Sequence, residues 1–455
     1  MKFRMITTFF GEHSFGGDAA YVDRLSQALC RRGHEVHVYY CVDAFNTVRG
    51  DHPLRPYTPP PGIHLHPLKS RFGILSPLAT QTTGLPLLKT AELREALDDP
   101  ETDVVHFHNI SLVGGPGVLG LGANRRAVRI MTAHEHWLVC PMHLLWKYDR
   151  KPCDAPTCVS CCLQGRRPPQ VWRATRAIER GLRNLDALVF PSRHALEEHR
   201  RRGLAAHVPL VHVPYFLPDD WSAGVEQAPR TVPDRPYVAA AGRLVKMKGF
   251  QHLIPLMRFL PEVDLHIAGT GPYEPALRAM AAELPNVRFE GLLGGQALAA
   301  LFRHARAVVV PSLFPETFGY VVLEAFAVGT PVIVHEGGGA LYETGFLSGG
   351  GLAYRSDTEL LTAMRRMVHD RALHDELAAR GVAMRMGPWS ETEHVDEYLR
   401  LIDQSQSARQ RKPFPRPHSL NRPNAAPARV DSLPWSELGN EPMKAAGINR
   451  PHGMI

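Results

Sequence analysis

At 455 residues and 44% hydrophobic content, the chain is longer than one compact core usually spans and has the composition of a globular protein. No stretch approaches the roughly eighteen apolar residues that a membrane-spanning helix needs, and the opening segment is too short and interrupted for a signal peptide. The formal charge of +7 is concentrated at one end, with no recognised motif and no basic patch on a folded element, which argues against a nucleic-acid role.

In chain order, residues 3–10 read as a first strand, followed by a turn containing Gly16 and Gly17. An amphipathic helix is expected over 20–32, with Ala20, Leu25, Ala28 and Leu29 on its apolar face. The paired glycines let backbone approach a ligand without a Cβ in the way. The alternative is an ordinary tight turn. Further strands are expected from Asp103 to His108 and from Ala127 to His134, the second running into Thr132-Ala-His-Glu-His-Trp137. The segment 211–218 closes this unit, and the Pro- and Arg-rich stretch 224–236 reads as a linker.

A second unit of the same kind begins at Ala239. Ala-Ala-Ala-Gly-Arg-Leu-Val-Lys-Met-Lys-Gly is a short apolar strand, a glycine turn, and then Arg243 and Lys248 ahead of a helix over 250–259. A guanidinium fork and a mobile ammonium near a helix N-terminus suit the developing charge of a diphosphate leaving group. Another strand starts at Asp264 and runs into Gly-Thr-Gly. A buried strand over 307–311 leads to a loop broken by Pro315 and Gly319, then to an apolar helix over 320–328. Glu316 stands in that loop and Glu324 more than a turn inside the helix, where its carboxylate can accept from vicinal hydroxyls. A last strand, 331–335, exits into Gly337-Gly338-Gly339. Tandem strand–glycine–helix units specify open parallel sheets with ligands at the carboxyl ends of the strands. The fold class is therefore α/β, with two doubly wound Rossmann-like domains.

Gly242-Arg243-Leu244 with Lys248-Gly249, followed by Glu316 and Glu324 flanking Phe318-Gly319, resembles the retaining nucleotide-sugar glycosyltransferases of family four, the glycosyl transferases group 1. The resemblance covers residues 3–402 and implies the GT-B architecture, in which the two domains face each other across a cleft. It implies that Arg243 and Lys248 hold the donor diphosphate and Glu324 the ribose hydroxyls. Glu316, with the Phe318-Gly319 backbone, would hold the transferred sugar. Gly16 and Gly17 would face the donor. The family's Thr-x-His-acid signature selects His134 over His106, His108 and His136 as the residue contacting the sugar and polarising the site. One departure is visible: an acid follows Gly338-Gly339 at Glu343, one position later than the usual spacing.

The expected domains are 1–222 on the acceptor side, 223–390 binding the nucleotide sugar, a helix over 391–404 returning to the first domain, and a basic tail over 405–455. The implied reaction moves a hexose from a nucleoside diphosphate sugar, UDP ahead of GDP, to a hydroxyl on a glycan, a lipid-linked acceptor or a small molecule. No cofactor is needed for it. Competing readings are an epimerase or hydrolase on the same architecture, and a non-catalytic sugar-nucleotide binding protein. A dinucleotide oxidoreductase fits less well, because the first turn lacks Gly-x-Gly-x-x-Gly.

Five of the seven cysteines crowd into residues 140–162, and Cys158 and Cys161 form a Cys-x-x-Cys pair. Cys140, Cys153, Cys158 and Cys161 are the set expected to hold a structural zinc, with Cys162 spare. Disulfides and unligated thiols are the alternatives, disulfides being disfavoured in the reducing cytoplasm expected here. Trp146, Lys147 and Tyr148 in this insertion are placed to shape the acceptor side. Residues 405–455 carry eight basic and three acidic side chains among clustered prolines, a composition that predicts disorder and allows peripheral contact with the inner face of a membrane.

Overall fold

Apolar runs bounded by glycine turns become two parallel sheets. In the computed structural model, which describes residues 1–50, 56–122, 124, 126–205, 207–225 and 235–411, the first sheet is built from β1 (Lys2–Thr7), β2 (Glu35–Cys41), β3 (Ile63–Leu68), β4 (Val104–Phe107) and β5 (Val128–Thr132). A short antiparallel hairpin, β6 (Trp146–Lys147) and β7 (Lys151–Pro152), lies apart from it. The sheet is completed by β8 (Ala187–Phe190) and β9 (Leu210–His212), giving the order β3-β2-β1-β4-β5-β8-β9. The second sheet contains β10 (Tyr237–Ala241), β11 (Asp264–Ala268), β12 (Val287–Gly291), β13 (Val308–Val310), β14 (Val332–His335) and β15 (Gly351–Tyr354), ordered β12-β11-β10-β13-β14-β15. Both are doubly wound, and their strand order reverses beside β1 and β10, where such sheets hold ligands.

Local chemistry explains the element ends. The helix expected over 250–259 is α-helical only from Phe250 to Leu253 and continues as a 3-10 turn, Ile254–Phe259. Pro255 has no amide hydrogen to continue the α ladder. At Gly249, φ is +77° and a Cβ would lie 1.9 Å from the Pro311 carbonyl oxygen. Only glycine lets the loop carrying Lys248 lie against the end of β13.

The final helix, Glu391–Arg411, packs on the first domain. Tyr398 is buried, stacks near Phe3 at 6.2 Å, and its hydroxyl lies 2.9 Å from His106 Nδ1. His394 Nε2 meets the Tyr21 hydroxyl at 3.1 Å. Arg31 forks onto Glu391 at 2.7 and 2.6 Å, and Arg409 meets Asp186 at 2.6 Å. Residues 405–411, which composition assigns to a disordered tail, are therefore helical. Ser405 is buried and donates to the Leu401 carbonyl at 2.8 Å, and Arg409 is anchored to the first domain. The rest of the tail, and most of the linker over 224–236, lie outside the described residues.

Replacing Tyr398 with alanine removes a buried ring and leaves His106 Nδ1 without its hydroxyl partner. The expected cost is about 3–5 kcal/mol, read as a loss of unfolding free energy in a denaturant titration of the full chain.

Candidate functional site

The candidate site lies where β10 and β13 run out at their carboxyl ends. Lys248 Nζ donates to Glu316 Oε1 at 2.7 Å, and the Ser312 hydroxyl donates to the same oxygen at 2.6 Å. The Glu316 backbone is held on both sides: its amide donates to the Gly338 carbonyl at 3.0 Å, and its carbonyl accepts from the Ala340 amide at 2.9 Å. The glycine-rich exit of β14 thus fixes the loop that carries Glu316. Gly319, with φ at +93°, caps the helix Tyr320–Ala327, and a Cβ there would lie 2.3 Å from a Leu341 methyl. The Phe318 ring is buried against Tyr215 and Trp389. What this pair of residues presents to the cleft is its backbone, at the positive end of a helix.

Arg243 is exposed at the same mouth. Desolvation, then the charge of Arg49 in the first domain, lowers its pKa. Arg243 and Arg49 therefore lie close enough to disfavour one another. Glu324 is 3.9 Å from Arg24, whose guanidinium lies 4.4 Å from the centre of the Tyr320 ring. Burial raises the pKa of Glu324, and Arg24 opposes that shift.

Gly17 faces this helix from the other domain, where a Cβ would sit 3.2 Å from the Tyr320 ring, whereas a Cβ on Gly16 would meet Asp18 Oδ1 at 3.1 Å. Asp18 and Glu135 lie behind them, two acids to which sequence reasoning gave no role. Burial, with Glu135 next, raises the Asp18 pKa to about 6. The signal for both lay in their positions, Asp18 directly after the paired glycines and Glu135 directly after His134.

His134 is buried and its pKa is lowered to about 3 by desolvation. Its Nε2 lies 2.9 Å from His108 Nδ1, and its Nδ1 meets the Tyr215 hydroxyl. Both ring nitrogens are engaged inside the first domain, so the ring offers none to a sugar in this arrangement. Its backbone carbonyl crosses instead, accepting from the Thr317 hydroxyl at 2.7 Å. The neighbouring His136 also crosses, with Nε2 2.9 Å from the Pro315 carbonyl. Ser192 donates to the Thr317 carbonyl at 2.6 Å while accepting from the Ala195 amide. Glu343, displaced by one position from the usual spacing, accepts from the Arg193 and His194 amides at 3.0 and 2.7 Å. It caps the first-domain helix Arg193–Arg201 from the other domain.

The insertion is separate from this centre. Cys140, Cys153, Cys158 and Cys161 line one small cavity with Met142 and Trp146, and all seven cysteines are free thiols. Among the described residues, no three of these sulfurs come within 4.8 Å of one another. Two thiolates on a tetrahedral zinc stand about 3.8 Å apart, so the set fits the metal only after side-chain rotation within the shared cavity. Trp146 lines that cavity, and Tyr148 bonds to Thr157 and Ser160 within the insertion.

Two family profiles cover most of the chain: Glycosyltransferase Family 4 over residues 15–215 and Glycosyl transferases group 1 over 225–382. The chain belongs to the group 1 glycosyltransferases. Among curated members of this family, it is 34% identical to the lipopolysaccharide core biosynthesis glycosyltransferase LpsE of Rhizobium meliloti, over 38% of this chain and 51% of that protein. It is 29% identical to a GDP-mannose-dependent alpha-mannosyltransferase of Mycolicibacterium smegmatis, over 83% of this chain and 92% of that one. Its fold is that of sucrose-phosphate synthase from Thermosynechococcus elongatus, with a TM-score of 0.66 at 20% identity, covering 90% of this chain and 99% of the other. Anabaena HepE in complex with UDP matches with a TM-score of 0.61 at 17% identity, over 89% and 100%. The two-domain GT-B architecture expected from the motifs is the one observed.

The raised Asp18 pKa has a signed consequence for this group 1 member. An unfolded aspartate titrates near about 3.9, so between about pH 4 and pH 6 the unfolded chain ionises while the folded one stays protonated. Stability is then lost as pH rises through that window, by about 2–3 kcal/mol. Asp18→Asn should flatten this slope and be more stable than wild type at pH 7, the two converging near pH 4 in urea melts.

Proposed function

We propose that the protein is a retaining glycosyltransferase that moves a hexose from a nucleoside diphosphate sugar to a hydroxyl acceptor. The observation that carries this reading is the Lys248–Glu316 pair at 2.7 Å, placed where the second sheet reverses and beside the helix that starts after Gly319. Arg243 and Lys248 would hold the diphosphate, with Lys248 moving from Glu316 to the phosphate as the donor enters. Glu316 and the Phe318-Gly319 backbone then receive the sugar, and Glu324 turns from Arg24 to the ribose.

In the transfer, the bond from the anomeric carbon to the diphosphate oxygen breaks as the bond to the acceptor oxygen forms on the same face. The departing phosphate takes the acceptor's proton, so no side-chain base is required. Cations around the diphosphate lower the barrier by stabilising charge that grows as the bond breaks. Contacts between the domains at Thr317, Pro315 and Glu343 exclude water and limit hydrolysis of the donor. His134 acts here as a positioning residue, presenting its carbonyl to Thr317.

The relatives aligned over most of this chain are named for GDP-mannose, whereas HepE was solved with UDP. These support a guanosine donor at least as well as the uridine that the family resemblance implies. Relatives named for lipopolysaccharide core and for phosphatidylinositol mannosides support a lipid-linked acceptor. Phe72, Ile74, Leu75 and Leu78 are exposed close in sequence to the exposed Lys69 and Arg71, a combination that suits peripheral contact with anionic lipid. No helix among the described residues is long and apolar enough to cross a membrane.

Thermal shifts against UDP, GDP and their sugars should show one nucleotide series stabilising the protein in a concentration-dependent way. Lys248→Ala and Glu324→Ala should each cut turnover or donor affinity at least about tenfold, equivalent to 1.4 kcal/mol. Wild-type kinetics in both variants would remove the site assignment. Product analysis without acceptor separates transfer from epimerisation or hydrolysis.

A further inference from the structure

Away from the cleft, the outer strands of the first sheet carry a second group of ligand-type side chains. Glu35 and His37 alternate on β2, and His64 and His66 on β3, so a two-residue period sets all four on one face. The parallel register places His37 opposite His64, and their rings stack at 4.7 Å. Glu35 Oε1 lies 2.8 Å from His37 Nε2 and 3.8 Å from His64 Nε2. These three ligand atoms all fall within 4.8 Å of one another, the one such set among the described residues. Behind them, His66 Nε2 lies 2.9 Å from His37 Nδ1, and Tyr39 stacks on His66 at 4.3 Å.

From this juxtaposition we propose that Glu35, His37 and His64 bind a zinc ion, with His66 orienting His37 from the outer shell. One carboxylate and two imidazoles form a borderline donor set suited to zinc, and water can complete the coordination because Glu35 and His64 are half exposed. With no ion bound, His37 Nε2–H donates to Glu35, and Nδ1 accepts from His66. Binding directs the Nε2 lone pair to the metal and places the proton on Nδ1, which then donates to His66 Nε2. The proton that His66 carried there moves to its own Nδ1, so the pair changes tautomer without net proton release. A ligand imidazole backed by a polar acceptor is the outer-shell arrangement that metal sites use.

Glu35 is the first residue of β2 and His64 the second of β3, so the ion would sit at the amino ends of the strands. The donor cleft lies at the carboxyl ends. The ion would therefore pin the edge strand β3 to β2 and take no part in transfer.

The test titrates zinc and cobalt into the full chain after chelator treatment, comparing wild type with Glu35→Gln, His64→Ala, His64→Gln and a Cys158→Ser/Cys161→Ser variant. One equivalent should be lost, or weakened at least about tenfold, in the Glu35 and His64 variants and kept in the cysteine variant. Cobalt at this site should absorb in the visible without the near-ultraviolet sulfur charge-transfer band of a thiolate complex. Zinc should raise the melting temperature of wild type and not of either His64 variant, while all melt alike without metal. Equal stoichiometry and affinity in the Glu35 and His64 variants, or no sulfur-free equivalent in wild type, would overturn the proposal. Neither outcome bears on the donor site.

Discussion

The loop over 315–319 has more polar backbone than its own domain satisfies, and the other domain supplies the partners. The Pro315 carbonyl meets His136, Thr317 meets both His134 and Ser192, and Glu316 is tied on either side to the exit of β14. Buried backbone groups left unpaired are costly, so this loop takes its shape only when both domains contribute. Glu343 adds a second crossing, its carboxylate closing two free amides of the helix Arg193–Arg201. This loop and the domain contact are one structure, and a change in one is felt in the other.

Much of this was legible in the chain. The second domain was readable because β10, β13 and β14 are buried on both faces, giving apolar runs, and because its turns need glycine for steric reasons that leave a spacing behind. Lys248 and Glu316, sixty-eight positions apart, were paired only through the family resemblance; nothing local in the sequence predicts that they touch. The resemblance also singled out His134, whose ring nitrogens are both engaged in the structure and whose carbonyl crosses to Thr317. Which nitrogen of a ring is free depends on partners such as Tyr215 and His108, which come from other elements.

Other features were hidden for physical reasons that recur. Asp18 looks like a solvated acid until its surroundings are known, since desolvation leaves no trace in residue identity. Glu343 stood out only as one position later than the family's usual spacing, and its partners, the Arg193 and His194 amides, belong to the other domain. The helix after Glu391 was expected, but composition ended it too early. Basic residues were counted toward a solvated tail, although Arg409 has an acid waiting at Asp186. The cysteines did converge on one cavity, as spacing implied, without closing to ligand distance.

The order in which the chain leaves the ribosome gives the last helix a further meaning. The ring of Tyr398, which stacks beside Phe3 and reaches His106, is synthesised almost four hundred residues after Phe3. The amino-terminal sheet can assemble early, but the apolar surface beside Phe3 that Tyr398 covers stays open throughout translation of the second domain. Apolar surface exposed for that long invites chaperones or self-association. A truncated transcript that ends after the second sheet would leave the first domain, not the second, as the one prone to precipitate.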